Sequence, residues 1–137
     1  MNEALRKRVA KRAGARCEYC LYPEAFSLVP HQLDHVIPRQ HGGEDGADNL
    51  AFSCATCNRV KGPNLASIDP ETKQITPLFH PRTQAWQEHF GLEDVRIVGL
   101  TPEGRATVSL LKLNDEMRLR ERRMLLAREQ LIDSSES

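Results

Sequence analysis

The residues of this chain that are best suited to chemistry lie in two cysteine pairs and in the segment between them. The pairs are Cys17-x-x-Cys20 and Cys54-x-x-Cys57, and 33 residues separate them. Each pair can present two thiolates about 3.8 Å apart, and four thiolates complete the tetrahedral shell of Zn²⁺ at about 2.3 Å. Such a shell has no open position for water or substrate. The spacing therefore predicts one structural zinc site, with the function in the segment that it encloses.

A redox CxxC site and an iron–sulfur cluster are the competing interpretations of the four cysteines. A redox site needs a thioredoxin-like βαβ context, which is absent around both pairs. The N-terminal sequence MNEALRKRVAKRAG lacks the apolar core of a secretory signal, so we expect a cytoplasmic protein with reduced thiols rather than disulfides.

Between and beside the cysteines lie Asp34-His35, Asn49 and Asn58, a polar set with a chemical logic. A neutral imidazole can take a proton from water. Carboxylate and amide oxygens are hard ligands suited to Mg²⁺ or Mn²⁺. Such an ion can neutralise the charge that develops as a phosphodiester is hydrolysed. The set indicates metal-dependent phosphodiester hydrolysis.

The segments LDHVIPRQHGG, DNL and CATCNRVKG, together with the first cysteine pair, resemble the HNH endonucleases over residues 14–63. The resemblance implies an α+β fold, with a small ββα-metal nuclease core stapled by a four-cysteine zinc site. It implies that His35 is the general base, that Asp34 is a ligand of the catalytic metal, and that Asn49 holds the loop and orients the histidine. Asn58 stands where many members have histidine. In a known variant this asparagine binds metal, which favours a hard ion such as Mg²⁺.

Several of these residues also have a structural interpretation. Asp34 could cap a turn, and Asn58 could cap the helix after CATC. Adjacent residues of an ideal strand point to opposite faces, so Asp34 and His35 need a bend or bulge to share one site. Arg59 and Lys61 could bind phosphates or be ordinary solvated charges.

The apolar pattern predicts the elements that position this set. The expected elements are a basic helix over 2–14, an extended segment over 26–37, a short element at Leu50–Ser53, and a helix after CATC that Gly62 limits. Six basic residues and one acidic residue lie within 1–16. They could add phosphate contacts or form a solvated helix face.

Residues 64–137 are predicted to form a mixed α/β extension that ends in a helix, beside a core at 1–63, and they resemble the C-terminal extension of bacterial HNH proteins. The expected features are a turn at DPETK, strands at PLFHP and VRIVGL, and a short helix at TQAWQEHF that Trp86 and Phe90 anchor and Gly91 closes. A further helix is expected from Thr101-Pro102 to about Leu113. The last helix is expected to be capped by Asn114, with apolar residues recurring at Leu113, Met117, Met124 and Leu131.

The composition is that of an ordinary globular chain, with 39% hydrophobic and 28% charged residues among 137. No apolar run is long enough to span a membrane. A net charge of zero gives no global argument for a nucleic-acid partner. The leading hypothesis is an endonuclease acting on double-stranded DNA. The alternatives are a zinc-stapled nucleic-acid-binding module that does not cut and an interaction protein built around the last helix.

Overall fold

The structure is a computed structural model that describes the backbone of residues 3–136 and the side chains of residues 3–129. In this range the chain forms three antiparallel two-stranded hairpins and five α-helices, so the predicted α+β class is confirmed. The elements are α1 (Glu3–Arg12), β1 (Gln32–His35), β2 (Leu50–Ser53), α2 (Ala55–Lys61), β3 (Ala66–Ile68), β4 (Ile75–Pro77), α3 (Trp86–His89), β5 (Phe90–Glu93), β6 (Arg96–Gly99), α4 (Pro102–Leu110) and α5 (Glu116–Glu136). Within the described part of the chain, none of these helices is long and apolar enough to cross a membrane.

The hairpin of β1 and β2 is the element that carries the predicted chemistry. The strands pair in continuous antiparallel register, from Gln32 opposite Ser53 to His35 opposite Leu50. The extended segment predicted over 26–37 therefore forms a paired strand only in its second half. The element predicted at Leu50–Ser53 is confirmed as β2.

Helix α1 packs its apolar stripe against one face of this hairpin. Val9 is fully buried in a cluster with Leu50 and Phe52 of β2. Near the end of the helix, Arg12 donates to the carbonyl oxygens of Ala47 at 2.8 Å and Leu50 at 2.6 Å. The predicted basic helix is confirmed, and it is tied to the strand that pairs with β1.

The segment after residue 63 shares its hydrophobic core with the cysteine segment. Phe79, Phe90 and Ile97 are buried in the same cluster as the four cysteines. Trp86 packs on this cluster, and its Nε1 donates to the carbonyl oxygen of Tyr19 at 2.9 Å. The predicted anchoring by Trp86 and Phe90 is confirmed.

Helix α4 approaches β6 and the end of α3 so closely that glycine is required at two positions. A Cβ on Gly104 would lie 2.0 Å from the carbonyl oxygen of His89, and a Cβ on Gly99 would lie 2.5 Å from the nitrogen of Arg105. Thr101 Oγ1 accepts from the nitrogen of Gly104 at 3.0 Å, so the predicted helix start is confirmed. The turn at DPETK joins β3 to β4, and VRIVGL forms β6, as predicted.

Three local predictions for the extension are wrong. PLFHP is not a strand, because β4 ends at its first proline, and the nitrogen of Phe79 donates to the side-chain oxygen of Thr107 at 2.8 Å. Gly91 does not close the short helix, since it lies within β5. Asn114 does not cap α5. Its side-chain Oδ1 accepts from the nitrogen of Ile97 at 2.9 Å, and its Nδ2 donates to the carbonyl oxygen of Ile97 at 2.8 Å.

The apolar residues predicted to recur along the last helix differ in burial, since Leu113 is fully buried but the two methionines are exposed. Met117 is 68% exposed and Met124 is 74% exposed, and Leu131 lies outside the described side chains. Helix α5 docks instead through Arg118 and Leu119, which are each 8% exposed. A buried arginine sets the face of this helix, and spacing of apolar residues alone does not indicate it.

Candidate metal centre and catalytic site

The four cysteines converge on one point between α2 and the turn that follows α1. Their sulfur atoms all lie within 4.8 Å of one another, and Cys20 Sγ lies 3.7 Å from Cys54 Sγ. All four residues are buried, and burial raises the pKa of the Cys17 and Cys57 thiols. A tetrahedral zinc ion holds its sulfurs about 3.8 Å apart, so the cluster fits such an ion. The prediction that the four cysteines come together where they could hold one metal ion is confirmed.

Each cysteine pair is folded by hydrogen bonds between its own backbone and its first sulfur. In the first pair, the nitrogens of Tyr19 and Cys20 donate to Cys17 Sγ, each at 3.4 Å. In the second pair, Cys54 is the N-cap of α2, and its sulfur accepts from the nitrogen of Cys57 at 3.4 Å. The C-x-x-C spacing turns the chain so that both sulfurs of a pair point to the same side.

Asp34 lies on the face of β1 that α2 covers. It is 4% exposed, the hydroxyl of Tyr19 donates to its Oδ2 at 2.6 Å, and Lys61 Nζ donates to its Oδ1 at 3.3 Å. Burial raises the pKa of Asp34, while Lys61 and Tyr19 act in the opposite direction. Asp34 pairs with Ala51 within the strand, so it caps no turn. Its role as a ligand of a catalytic metal stays a prediction.

Lys61 is 1% exposed, so a phosphate contact there stays a prediction and would require its ammonium group to leave its protein partners. In addition to Asp34, its Nζ reaches the carbonyl oxygens of His35 at 3.0 Å and Val36 at 3.4 Å. A buried lysine with such partners ties the end of α2 to β1. Its neighbour Arg59 is exposed, and a phosphate contact there stays a prediction.

His35 lies in a different environment from Asp34, although the two are adjacent. Its Nε2 is 2.7 Å from Asp45 Oδ1, and Arg39 Nε donates to the same oxygen at 2.9 Å. Both hydrogen bonds lower the pKa of Asp45, and the bond from Arg39 has the larger effect. The pairing of β1 is regular through Asp34 and His35, so the expected bend or bulge is not present there. The two side chains therefore point to opposite faces of the hairpin.

Asn49 closes the loop between β1 and β2. Its Oδ1 accepts from the nitrogen of Ile37 at 2.9 Å, and its Nδ2 donates to the carbonyl oxygens of Ile37 (2.9 Å) and Glu44 (2.8 Å). The loop is tight, since a Cβ on Gly43 would lie 1.6 Å from the carbonyl oxygen of Ile37. These bonds fix the backbone two residues beyond His35, as the predicted loop-holding role of Asn49 requires.

Asn58 lies inside α2 and faces β1. Cys54 is the N-cap of this helix, so the structural alternative for Asn58 as a helix cap is wrong. Its Nδ2 donates to Gln32 Oε1. Because Gln32 is two residues before Asp34 on the same strand, Asn58 and Asp34 both lie on the side that α2 covers, whereas His35 points away from it.

Sequence analysis missed three residues that complete these sites. Asp45 is one of several acidic residues in a polar loop, and nothing local marks it as the partner of His35. Tyr19 lies within CEYC, and its position between two predicted metal ligands was the only local feature that could have indicated its role. Arg118 donates to Cys57 Sγ at 2.8 Å from 61 residues away, a contact that only the tertiary fold creates.

Comparison with known proteins agrees with this geometry. The HNH endonuclease family model matches residues 17–64, which span both cysteine pairs, the hairpin and α2. The predicted resemblance is therefore confirmed over this segment. No curated protein and no solved structure matches the chain.

Proposed function

We propose that this protein is a metal-dependent endonuclease that hydrolyses phosphodiester bonds of double-stranded DNA, because residues 17–64 match the HNH endonuclease family model. The observation that carries the proposal is the family match together with the placement of its residues. The histidine of the motif, whose side chain is 17% exposed, lies on the face of the hairpin away from α2, and the last asparagine lies beside the four-cysteine cluster.

His35 is the proposed general base. Its side chain is 17% exposed, so water can reach it. A neutral imidazole that donates its Nε2 hydrogen to Asp45 keeps its lone pair on Nδ1. Nδ1 is then the atom that takes the proton from the attacking water. The bond to Asp45 and the loop bonds of Asn49 hold the ring in orientation, and the negative charge of Asp45 stabilises the imidazolium that forms.

Asp34 and Asn58 are the proposed ligands of a catalytic Mg²⁺ or Mn²⁺. A carboxylate and an amide oxygen suit such ions, which keep several waters or substrate oxygens in their shell. When bound, the ion stabilises charge on the leaving 3′ oxygen, which would give 5′-phosphate and 3′-hydroxyl ends. Lys61 competes with the ion, since its Nζ lies 3.2 Å from Asp34 Oδ2. Metal binding through Asp34 therefore requires the ammonium group to move. The end of β1 must also bend for this ion and His35 to act on one phosphate, because the two residues lie on opposite faces of the regular hairpin.

The four-cysteine site is proposed to hold structural Zn²⁺. The four sulfurs fill a tetrahedral shell, which leaves no position for substrate. Cys57 is followed directly by Asn58 in α2. The zinc would therefore position a proposed ligand of the catalytic ion without taking part in the reaction itself.

A zinc-stapled binding module that does not cut nucleic acid is the second candidate. The observation that favours it is the environment of Asp34, whose two oxygens already have protein donors. Under this alternative, Asp34 is a structural carboxylate, and the exposed basic residues of α1 provide phosphate contacts.

The test is nicking of supercoiled plasmid in Mg²⁺, Mn²⁺ or Ni²⁺ by the wild-type protein, His35→Ala and His41→Ala. His41 is an exposed histidine on the same loop, so it controls for loss of an imidazole. We expect His35→Ala to lose about 10²–10⁴-fold in rate, the range for a general base, and His41→Ala to keep wild-type activity. Equal nicking by His35→Ala and wild type would exclude His35 as the base. Plasmid binding without nicking in any metal would support the binding module.

A further inference from the structure

A zinc ion with four thiolates carries more negative than positive charge, and the protein must compensate the difference. Two formal negative charges remain in excess when Zn²⁺ binds four deprotonated cysteines. Charge in a buried site is unfavourable unless hydrogen bonds or counter-charges offset it. Cys17 and Cys57 have no exposed surface, so bulk water cannot provide this compensation.

The backbone donors of the two knuckles serve the first sulfur of each pair. They reach Cys17 Sγ and Cys54 Sγ at 3.4 Å. The donor to Cys57 Sγ is a charged side chain, since Arg118 Nη2 lies 2.8 Å from this sulfur and 3.9 Å from Cys54 Sγ. The guanidinium thus reaches both sulfurs of the second knuckle.

Arg118 is held in place for this contact. It is 8% exposed, and its Nη1 donates to the carbonyl oxygen of Leu111 at 2.7 Å. One end of the guanidinium is thus fixed by the backbone before α5, and the other faces the thiolates. A guanidinium stays protonated under all ordinary conditions, so the cation is permanent.

We propose that Arg118 is a positioning residue of the zinc site, which compensates the thiolate charge at Cys57 and slows the loss of the metal. Helix α5 then contributes to the metal centre, although Arg118 lies 61 residues after Cys57 in the sequence. The inference rests on the proposed zinc site. It does not depend on DNA cleavage, so its failure can be distinguished from failure of the nuclease proposal.

The experiment measures zinc release from the zinc-loaded full-length protein into an excess of a colour-forming chelator at neutral pH. The variants are Arg118→Met, Arg118→Lys and the matched control Arg122→Met. Arg122 lies one turn further along α5 and donates to the carbonyl oxygens of Val95 at 2.6 Å and Leu113 at 2.5 Å. Its removal therefore loosens the docking of the helix without removing a hydrogen bond to sulfur.

We expect Arg118→Met to release zinc about 10- to 100-fold faster than wild type, the usual effect of removing a hydrogen bond to a metal ligand. Arg118→Lys should be intermediate, because it keeps the charge but not the geometry. Arg122→Met should release zinc more slowly than Arg118→Met even if its melting temperature falls, because the Arg122 charge interacts with Cys20 and Cys57 without a hydrogen bond to either sulfur. Wild-type release from folded Arg118→Met, or equally fast release from Arg122→Met, would overturn the proposal.

A second pair of variants decides the question if Arg118→Met does not fold. Arg118→Gln keeps a donor without the charge, and Arg118→Lys keeps the charge. If Arg118 acts through its charge, zinc release should be slower from the lysine variant than from the glutamine variant. Equal rates would contradict this role of the charge. Substitution of zinc by Co²⁺ adds a spectroscopic measurement, since loss of the Arg118 bond should shift the thiolate-to-metal absorption band.

Discussion

The two faces of the β1–β2 hairpin hold neighbouring residues in opposite environments. On the face that α2 covers, Asp34 is 4% exposed, and both of its oxygens accept hydrogen bonds from protein groups. On the opposite face, where α1 packs on Leu50, His35 is bonded to Asp45, which is an exposed loop residue. Regular strand alternation produces this separation, because consecutive side chains point to opposite sides.

This difference indicates which residues support the fold and which are available for catalysis. Polar groups on the face that α2 covers have partners that hold α2, the first cysteine knuckle and β1 together, so changing them should disturb the fold. The groups around His35 bond mainly to one another and to the loop, so changing them should leave the fold intact and affect cleavage. Substitutions that separate stability from activity can test this division.

The largest effect is expected from Cys57→Ser, on the covered side of the hairpin. Cys57 has no exposed surface, and its sulfur is one of four within 4.8 Å of one another. Apparent zinc-binding energies of structural sites are about 10–16 kcal/mol, so loss of one ligand should cost zinc, folding and cleavage together. Zinc content, circular dichroism and plasmid nicking measure the three losses. A folded and fully active Cys57→Ser protein would contradict the structural role of the zinc site.

The cysteine pairs and the hairpin could be predicted because their signals are local. C-x-x-C spacing sets the direction of two sulfurs, and the Thr101-Pro102 pair starts a helix by capping and a fixed φ angle. Each of these features is decided by residues a few positions apart. For the same reason, the positions of β2, α2 and β6 agree with the sequence interpretation.

The features that were not predicted depend on contacts distant in sequence. Lys61 was interpreted as a possible phosphate contact because it lies close to Asn58 in the sequence, whereas the fold buries it against Asp34. The methionines of α5 have helical spacing, but the face that docks is set by Arg118 and its contact with Cys57. Asp45 becomes the partner of His35 only when the loop closes.

Lys61→Met is expected to show the next largest effect, this time on stability. The substitution removes the ammonium group and leaves Asp34 buried without its counter-charge, which is expected to destabilise the protein by about 3–5 kcal/mol. Urea denaturation of the zinc-loaded protein measures the free energy of unfolding. The control is Arg59→Met in the same helix, an exposed site where a change within about 0.5 kcal/mol is expected.

Adding Asp34→Asn to Lys61→Met shows whether the loss comes from the unpaired carboxylate. The double variant should recover part of the stability, since the buried charge is gone as well. If Lys61→Met is as stable as Arg59→Met, the covered face is less dependent on this ion pair than the contacts indicate. The distinction between the two faces would then lose its energetic basis.

The smallest effect is expected from Asp45→Asn, in the exposed loop beside His35. The asparagine can still accept from His35 Nε2, but it lacks the charge that stabilises the imidazolium. We therefore expect the rate of plasmid nicking to fall about tenfold, equivalent to about 1.4 kcal/mol, while the melting temperature stays near that of wild type. Asp48→Asn is the matched control, because Asp48 is an exposed acid in the same loop. If both variants slow cleavage equally, the effect comes from the charge of the loop rather than from the bond to His35. If Asp45→Asn unfolds the protein, the bond between Asp45 and His35 also supports the fold, and the proposed separation of stability from activity is wrong.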